Sequence, residues 1–181
     1  VGKGGPFEGA TARATARSLR NRNLCIPVFD TSLDISVCGT QLAETIADAK
    51  RLIDIASDMR VDHLSLKAQS TGENAFGNIH EAIDELLPYA IERGVSILIE
   101  TSGIFADTSR LMELLDTYAS DSLGALWDVH HPYRDCGEDP STTITNLGAY
   151  IKHVHLRDSD NEGFYNLVGE GTLPIDRAMR A

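Results

Sequence analysis

Five short runs rich in Val, Ile and Leu recur along the chain, at Leu24–Phe29, His63–Lys67, Val95–Ile99, Leu123–Trp127 and His153–Leu156. They are nearly continuous in apolar residues where a half-exposed sheet would alternate, which is the pattern of parallel strands covered on both faces. Their ends near residues 67, 100, 128 and 155 lie 33, 28 and 27 residues apart, enough for a strand, a crossover helix and two loops each time. A repeated βα unit restricts the chain to a parallel sheet with right-handed crossovers. Two closures satisfy this: an open doubly wound sheet of five strands, or part of a (β/α)₈ barrel of ~250 residues.

The intervening segments have helical period. Leu42, Ile46, Ala49, Ile53 and Ala56 share one face; Ile79, Ile83, Leu86, Ala90 and Ile91 share another, in a segment that ends at Gly94, a suitable C′ residue. A third helix carries Leu111, Leu114, Leu115 and Tyr118 behind Asp107 or Thr108 as its cap. Ser141 is expected to cap a fourth with Ile144, Leu147 and Ile151, and Pro174 to open a fifth. Thr11–Arg22 reads as a basic surface helix ahead of the first strand. No linker or compositional break interrupts this α(βα)₅ order, so residues 1–181 are expected to form one domain.

Charge narrows the partners. Sixteen Lys and Arg against 27 Asp and Glu leave a formal net charge of −11, which repels phosphate backbones and anionic lipid. A small molecule is therefore expected, with neither nucleic acid nor membrane, and homo-oligomers are left open. No apolar run approaches the ~18–20 residues of a bilayer span. Val1-Gly2-Lys3-Gly4-Gly5-Pro6 has no signal-peptide core. Within it, Gly2-Lys3-Gly4-Gly5 lacks both the full phosphate-loop pattern and a preceding strand. Cys25, Cys38 and Cys136 are odd in number and have no CxxC spacing, as expected for reduced, mostly buried thiols in a cytoplasmic protein.

The chemistry gathers at the strand ends. The third run closes Ile97-Leu98-Ile99-Glu100, and the fourth closes Leu126-Trp127-Asp128 before Val129-His130-His131. The fifth reads His153-Val154-His155-Leu156-Arg157-Asp158. Carboxylate, carboxylate and imidazole thus fall at the C-terminal rims of three consecutive parallel strands, where such folds place their active sites. Two carboxylates and a His suit a divalent cation. Each also has a plainer use: Glu100 as a helix cap, Asp128 as a loop carboxylate, His131 as a surface residue, and His153 with His155 as a packed pair on one strand face. Lys67 ends the second run at the same rim, as a substrate contact or as a snorkelling lysine. Asp158 either orients a ligand or caps a turn. The glycines of Gly169-Glu170-Gly171 read as conformational, His63 as a strand start and His80 as a surface helix residue.

Three segments carry a resemblance: Trp127-Asp128-Val129-His130-His131-Pro132-Tyr133-Arg134, Tyr150-Ile151-Lys152-His153-Val154-His155-Leu156-Arg157-Asp158 and Gly169-Glu170-Gly171-Thr172-Leu173-Pro174-Ile175. Together they resemble the sugar-phosphate isomerase/epimerase family of xylose-isomerase-like TIM barrels. The resemblance implies an α/β (β/α)₈ barrel of which residues 1–181 carry the central five units, strands three to seven, without strands one, two and eight. It implies one divalent metal (Mn, Zn, Mg or Co) on a Glu, an Asp, a His and a final Glu. The first three fall on Glu100, Asp128 and His155; the fourth has no counterpart before Ala181.

By the same resemblance His131, three after the Asp, is a substrate-side and catalytic group beside Glu100; Lys67 and Arg157, near the same rim, are further candidate substrate contacts. The expected reaction is isomerisation or epimerisation of a small sugar, sugar phosphate or polyol-derived carbonyl compound through an enediolate. A dehydratase acting on an inosose- or dehydroshikimate-like compound is the alternative, and a non-catalytic barrel used for binding or assembly a further one. Endonuclease IV shares the superfamily but uses an additional Asp-x-His pair after the strand-seven His, here His155; no His follows His155. Ketohexose epimerases carry an Arg about six residues after that His, where this chain has Asn161.

Overall fold

The computed structural model describes Phe7 and residues 9–181. The glycine-rich stretch at 2–5 and the rest of Val1–Pro6 lie outside the described residues. Helices α1 (Gly9–Arg20) and α2 (Thr40–Met59) precede strand β1 (His63–Leu66). Then follow α3 (Ala75–Glu92), β2 (Ser96–Glu100), α4 (Thr108–Tyr118), β3 (Leu123–Asp128), α5 (His130–Cys136), α6 (Pro140–Leu147) and β4 (Ile151–His155). A two-residue hairpin, β5 (Asp158–Ser159) with β6 (Tyr165–Asn166), and α7 (Ile175–Ala178) complete the order.

The four main strands are parallel and sequential, β1-β2-β3-β4, so no switchback of a doubly wound sheet occurs among them. Leu64, Leu66, Ile97, Ile99, Leu123 and Ala125 point outward into the layer formed by α2, α3 and α4. Alternation sends His63, Ser65, Ser96, Leu98, Glu100, Leu126 and Asp128 to the other face. β4 joins that face through a bulge: Ala125 pairs with Ile151, but Leu126 pairs with His153. Lys152 is the extra residue, and its Nζ donates to the Asp121 carbonyl at 2.8 Å. The bulge lets Ile151 pack outward while His153 and His155 turn inward.

The first expected strand is displaced. Residues 24–29 do not form a ladder; instead Phe29 bridges Leu64 and Asp34 bridges Lys67, both in parallel. Five steps along this segment match three along β1, so a two-residue excess bulges out between the bridges. Thr31 fills the gap, its N–H donating to Ser65 Oγ at 2.9 Å and its hydroxyl to the Ser65 carbonyl at 2.6 Å. Pro27 has no N–H for a ladder, and Leu24 is exposed.

Helix expectations fare better. α2, α3 and α4 bury Leu42, Ile46, Ala49, Ile53, Ala56, Ile79, Ile83, Leu86, Ala90, Leu111, Leu114 and Leu115. Gly94 follows α3 at φ +67°, and Asp107 caps α4 by accepting from Ser109 N–H. Ile91 is exposed. Asp139, not Ser141, caps α6, with Pro140 at its first turn. The cysteines also differ from expectation: all three are free but exposed, because each sits beside a turn or helix end instead of on a packed face. No helix among the described residues is long and apolar enough to cross a membrane.

Candidate active site

Glu100 ends β2 and Asp128 ends β3, and both side chains are fully buried. Neither Glu100 oxygen, nor Asp128 Oδ2, receives a well-aligned hydrogen bond. What faces them is cationic. Lys67 Nζ stands 3.1 Å from Glu100 Oε2, and Arg157 forms an ion pair with Asp128 Oδ2 while lying 3.9 Å from Glu100 Oε1. His131, in the first turn of α5, places Nε2 4.0 Å from Glu100 Oε1 and is held from behind by Asp135 at 3.0 Å from Nδ1. Two buried carboxylates with unfilled lone pairs are costly unless a cation compensates them. That fits a divalent ion in the same place.

The candidate ligand atoms fall into two groups, in each of which all lie within 4.8 Å of one another: Glu100, Asp128 and His131, and Asp30, Glu100 and His155. The expected set of Glu100, Asp128 and His155 is therefore divided between two groups that share Glu100. The second group also reports shape. Asp30 directly follows Phe29, which bridges β1, and His155 ends β4, four strand spacings away, about 19 Å on a flat sheet. Their approach to one point requires this face to be strongly concave, as the inside of a barrel is.

Asp30 was not anticipated, although it is the residue after the first apolar run and obeys the same rim rule as Glu100 and Asp128. Ser65 Oγ donates to its Oδ1 at 2.7 Å. His153 stacks edge-on against His155, ring centroids 5.1 Å apart. Burial pushes His153 below the usual histidine range, and His155 and His63 add to this against the pull of Asp30. His130 is also pushed down, by burial first and then by His131. Burial opposes the charge of Arg157, but Asp128, Tyr165 and Glu100 together raise its pKa above the usual value.

Asp158 pins a turn; it does not aim at a ligand. Its buried carboxylate accepts four backbone N–H groups, from Ser159 (2.8 Å), Gly169 (2.9 Å), Gly171 (3.0 Å) and Leu173 (3.2 Å). Burial alone would raise its pKa, yet these donors hold it below the usual carboxylate range. A methyl group on Gly171 would collide with that carboxylate, and Gly169 has φ +93°, which is why both are glycine. Arg134 of α5 clamps the same loop through Ser159 (Nε to Oγ, 2.9 Å) and Thr172 (2.6 Å). Asn161 Oδ1 accepts from Thr172 at 2.8 Å and Arg134 at 3.4 Å, so it too serves the loop. A cavity of about 570 Å³ opens between Phe7, the segment from Ile26 to Leu33 and α2. Of the candidate ligands only Asp30 lines it.

The profile of the xylose isomerase-like TIM barrel family matches residues 2–181. The chain belongs to that family. No curated protein matches significantly. Among solved structures, a xylose isomerase domain protein from Planctomyces limnophilus superposes with a TM-score of 0.77 at 18% identity, over 93% of this chain and 70% of that one. The probable 3-DHS dehydratase AsbF of Bacillus anthracis gives 0.77 at 17%, over 94% and 70%. A D-allulose 3-epimerase from Methylomonas, in complex with D-allulose, gives 0.76 at 15%, over 94% and 63%. These likenesses establish the fold: a parallel sheet and its helices forming part of a barrel.

Proposed function

We propose that the chain is a divalent-metal-dependent isomerase or epimerase acting on a small sugar-like carbonyl compound through an enediolate. The observation that carries this reading is the pair of fully buried carboxylates, Glu100 and Asp128, with His131 completing a cluster within 4.8 Å at the C-terminal rim of the sheet. Glu100 and Asp128, with His155 or His131, would hold the ion. When bound, it would polarise the substrate carbonyl and stabilise the enediolate. Glu100 takes the proton from the carbon beside the carbonyl, with Lys67 fixing its orientation. For isomerisation it delivers the proton to the neighbouring carbon of the enediolate, whereas epimerisation needs a second proton donor on the opposite face. His131, steadied by Asp135, hydrogen-bonds a substrate hydroxyl. Leu98 and Leu126, buried on the same face, keep water from beneath the reacting carbon.

A dehydratase is the second reading, and Asn161 favours it. The residue standing where ketohexose epimerases carry an Arg is spent on the loop, which leaves that substrate class without its contact. Titration of the full chain with Mn²⁺, followed by NMR in D₂O with a panel of ketoses, inososes and dehydroshikimate, separates the readings. Solvent deuterium should appear at the α-carbon, and Glu100→Gln should slow exchange by at least ~10²-fold, the usual weight of a general base. Loss of water to an enone would favour the dehydratase. Mn²⁺ binding without exchange or elimination, or no Mn²⁺ binding, would leave a binding barrel.

A further inference from the structure

Arg157 and Lys67 occupy the two buried carboxylates that the proposed metal also needs. Each cation has a single carboxylate as its main partner: Lys67 on Glu100 Oε2 at 3.1 Å, and Arg157 on Asp128 Oδ2, with Glu100 Oε1 at 3.9 Å. Leaving aside the imidazoles and the outward Asp135, the mouth carries three carboxylates, Asp30, Glu100 and Asp128, and two fixed cations. Its local charge is close to balance at minus one. A divalent ion would turn this to plus one, and would take from Arg157 the oxygen it holds. An uncompensated guanidinium beside a buried site is unfavourable, so a metal-loaded mouth attracts an anion. Arg157 can meet one: its side chain is 35% exposed and roots next to a groove of about 230 Å³ lined by Leu156, Asp158, Tyr165, Asn166 and Val168.

We propose that Arg157 is an exchangeable counter-ion, covering Asp128 until a divalent ion displaces it and then binding an anionic group, carboxylate or phosphate, on the substrate. The proposal rests on the metal-dependent reading above and adds the substrate class: an acidic or phosphorylated polyol in place of a neutral ketose. It also sets an order, metal before substrate. A guanidinium suits this role because its planar fork pairs two-pronged with carboxylate or phosphate oxygens.

The test is isothermal titration of the full chain with Mn²⁺ alone, and then with inorganic phosphate or acetate in the presence and absence of Mn²⁺. Arg157→Gln should bind Mn²⁺ about tenfold more tightly than the wild type, since the competitor is gone; coupled binding commonly spans 5- to 150-fold. A merely structural arginine would give weaker metal binding when removed. In the wild type, Mn²⁺ should strengthen anion binding severalfold; Arg157→Gln should abolish that gain and Arg157→Lys should keep part of it. Preference for phosphate or acetate distinguishes the two substrate chemistries. Unchanged or weaker Mn²⁺ binding by Arg157→Gln, or anion binding indifferent to Mn²⁺, overturns this proposal while leaving the metal reading intact. Failure of both proteins to take up Mn²⁺ overturns the metal reading itself, and this proposal with it.

Discussion

At the scale of single residues, position along the chain and position in space carry different information. Glu100 and Asp128 were legible because strand ends are marked by the sequence and the rim rule is general. Asp158 was legible only as one of two alternatives, ligand orienter or turn cap, because its partners Gly169, Gly171 and Leu173 lie 11 to 15 residues away and no local pattern announces a carboxylate surrounded by four N–H groups. Its buried anion makes a specific pH prediction. The folded pKa is depressed, so the stabilisation is complete above the unfolded aspartate value of about 3.9 and is lost as pH falls through the lower folded value. Asp158→Asn should cost about 2–4 kcal/mol near neutrality, as expected when charge-assisted bonds to a buried group are replaced. The gap from the wild type should narrow as the solution is acidified below about pH 4. Thermal melts of both proteins at neutral and acid pH would check this, and a gap that stays constant would refute it.

At the scale of elements, periodicity located every long helix but misplaced what sequence periodicity does not encode. α5 went unrecognised because only seven residues form it and they carry no apolar period; Pro132 lies in its first turn, where a missing N–H is harmless. The first strand was set at 24–29 on apolar content, whereas pairing is decided by where an N–H and a C=O can reach β1, which happens at Phe29 and Asp34. The turn after β2 shows how tightly the elements are set. Gly103 has φ +59°, a methyl there would collide with the Ala68 carbonyl, and that carbonyl already accepts from Ile104 N–H at 2.9 Å. Gly103→Ala should therefore destabilise by about 1–3 kcal/mol, the usual range for a strained backbone position. It should also loosen Glu100, three residues upstream. Chemical denaturation measures the first effect and the Mn²⁺ titration the second; unchanged values would show that this turn yields easily.

At the scale of the molecule, the sequential parallel sheet was readable from the repeat and its barrel curvature from the family resemblance. Periodicity by itself left open and closed sheets undecided, and the meeting of Asp30, Glu100 and His155 within 4.8 Å shows the concave face directly. Curvature leaves two edges. Among the described residues β4 pairs only with β3, and its Val154 and the Leu156 that follows it are 41% and 40% exposed. The connection that follows adds Phe164, Tyr165, Leu167 and Val168, at 52–73% exposure. An unpaired parallel edge beside an apolar surface is a template for association. A polypeptide of these 181 residues alone is therefore expected to self-associate between micromolar and millimolar concentration, the range in which such surfaces commonly act. The double variant Val154→Lys with Leu167→Glu should shift it towards monomer without loss of secondary structure, because Leu167 lies largely in solvent and Val154 partly so. Sedimentation velocity across that range, with far-ultraviolet circular dichroism as the control, reads the outcome. A wild-type chain that stays monodisperse and monomeric throughout would show that the edge protects itself, with the Lys152 bulge, which twists β4 away from a straight ladder, as the first feature to examine.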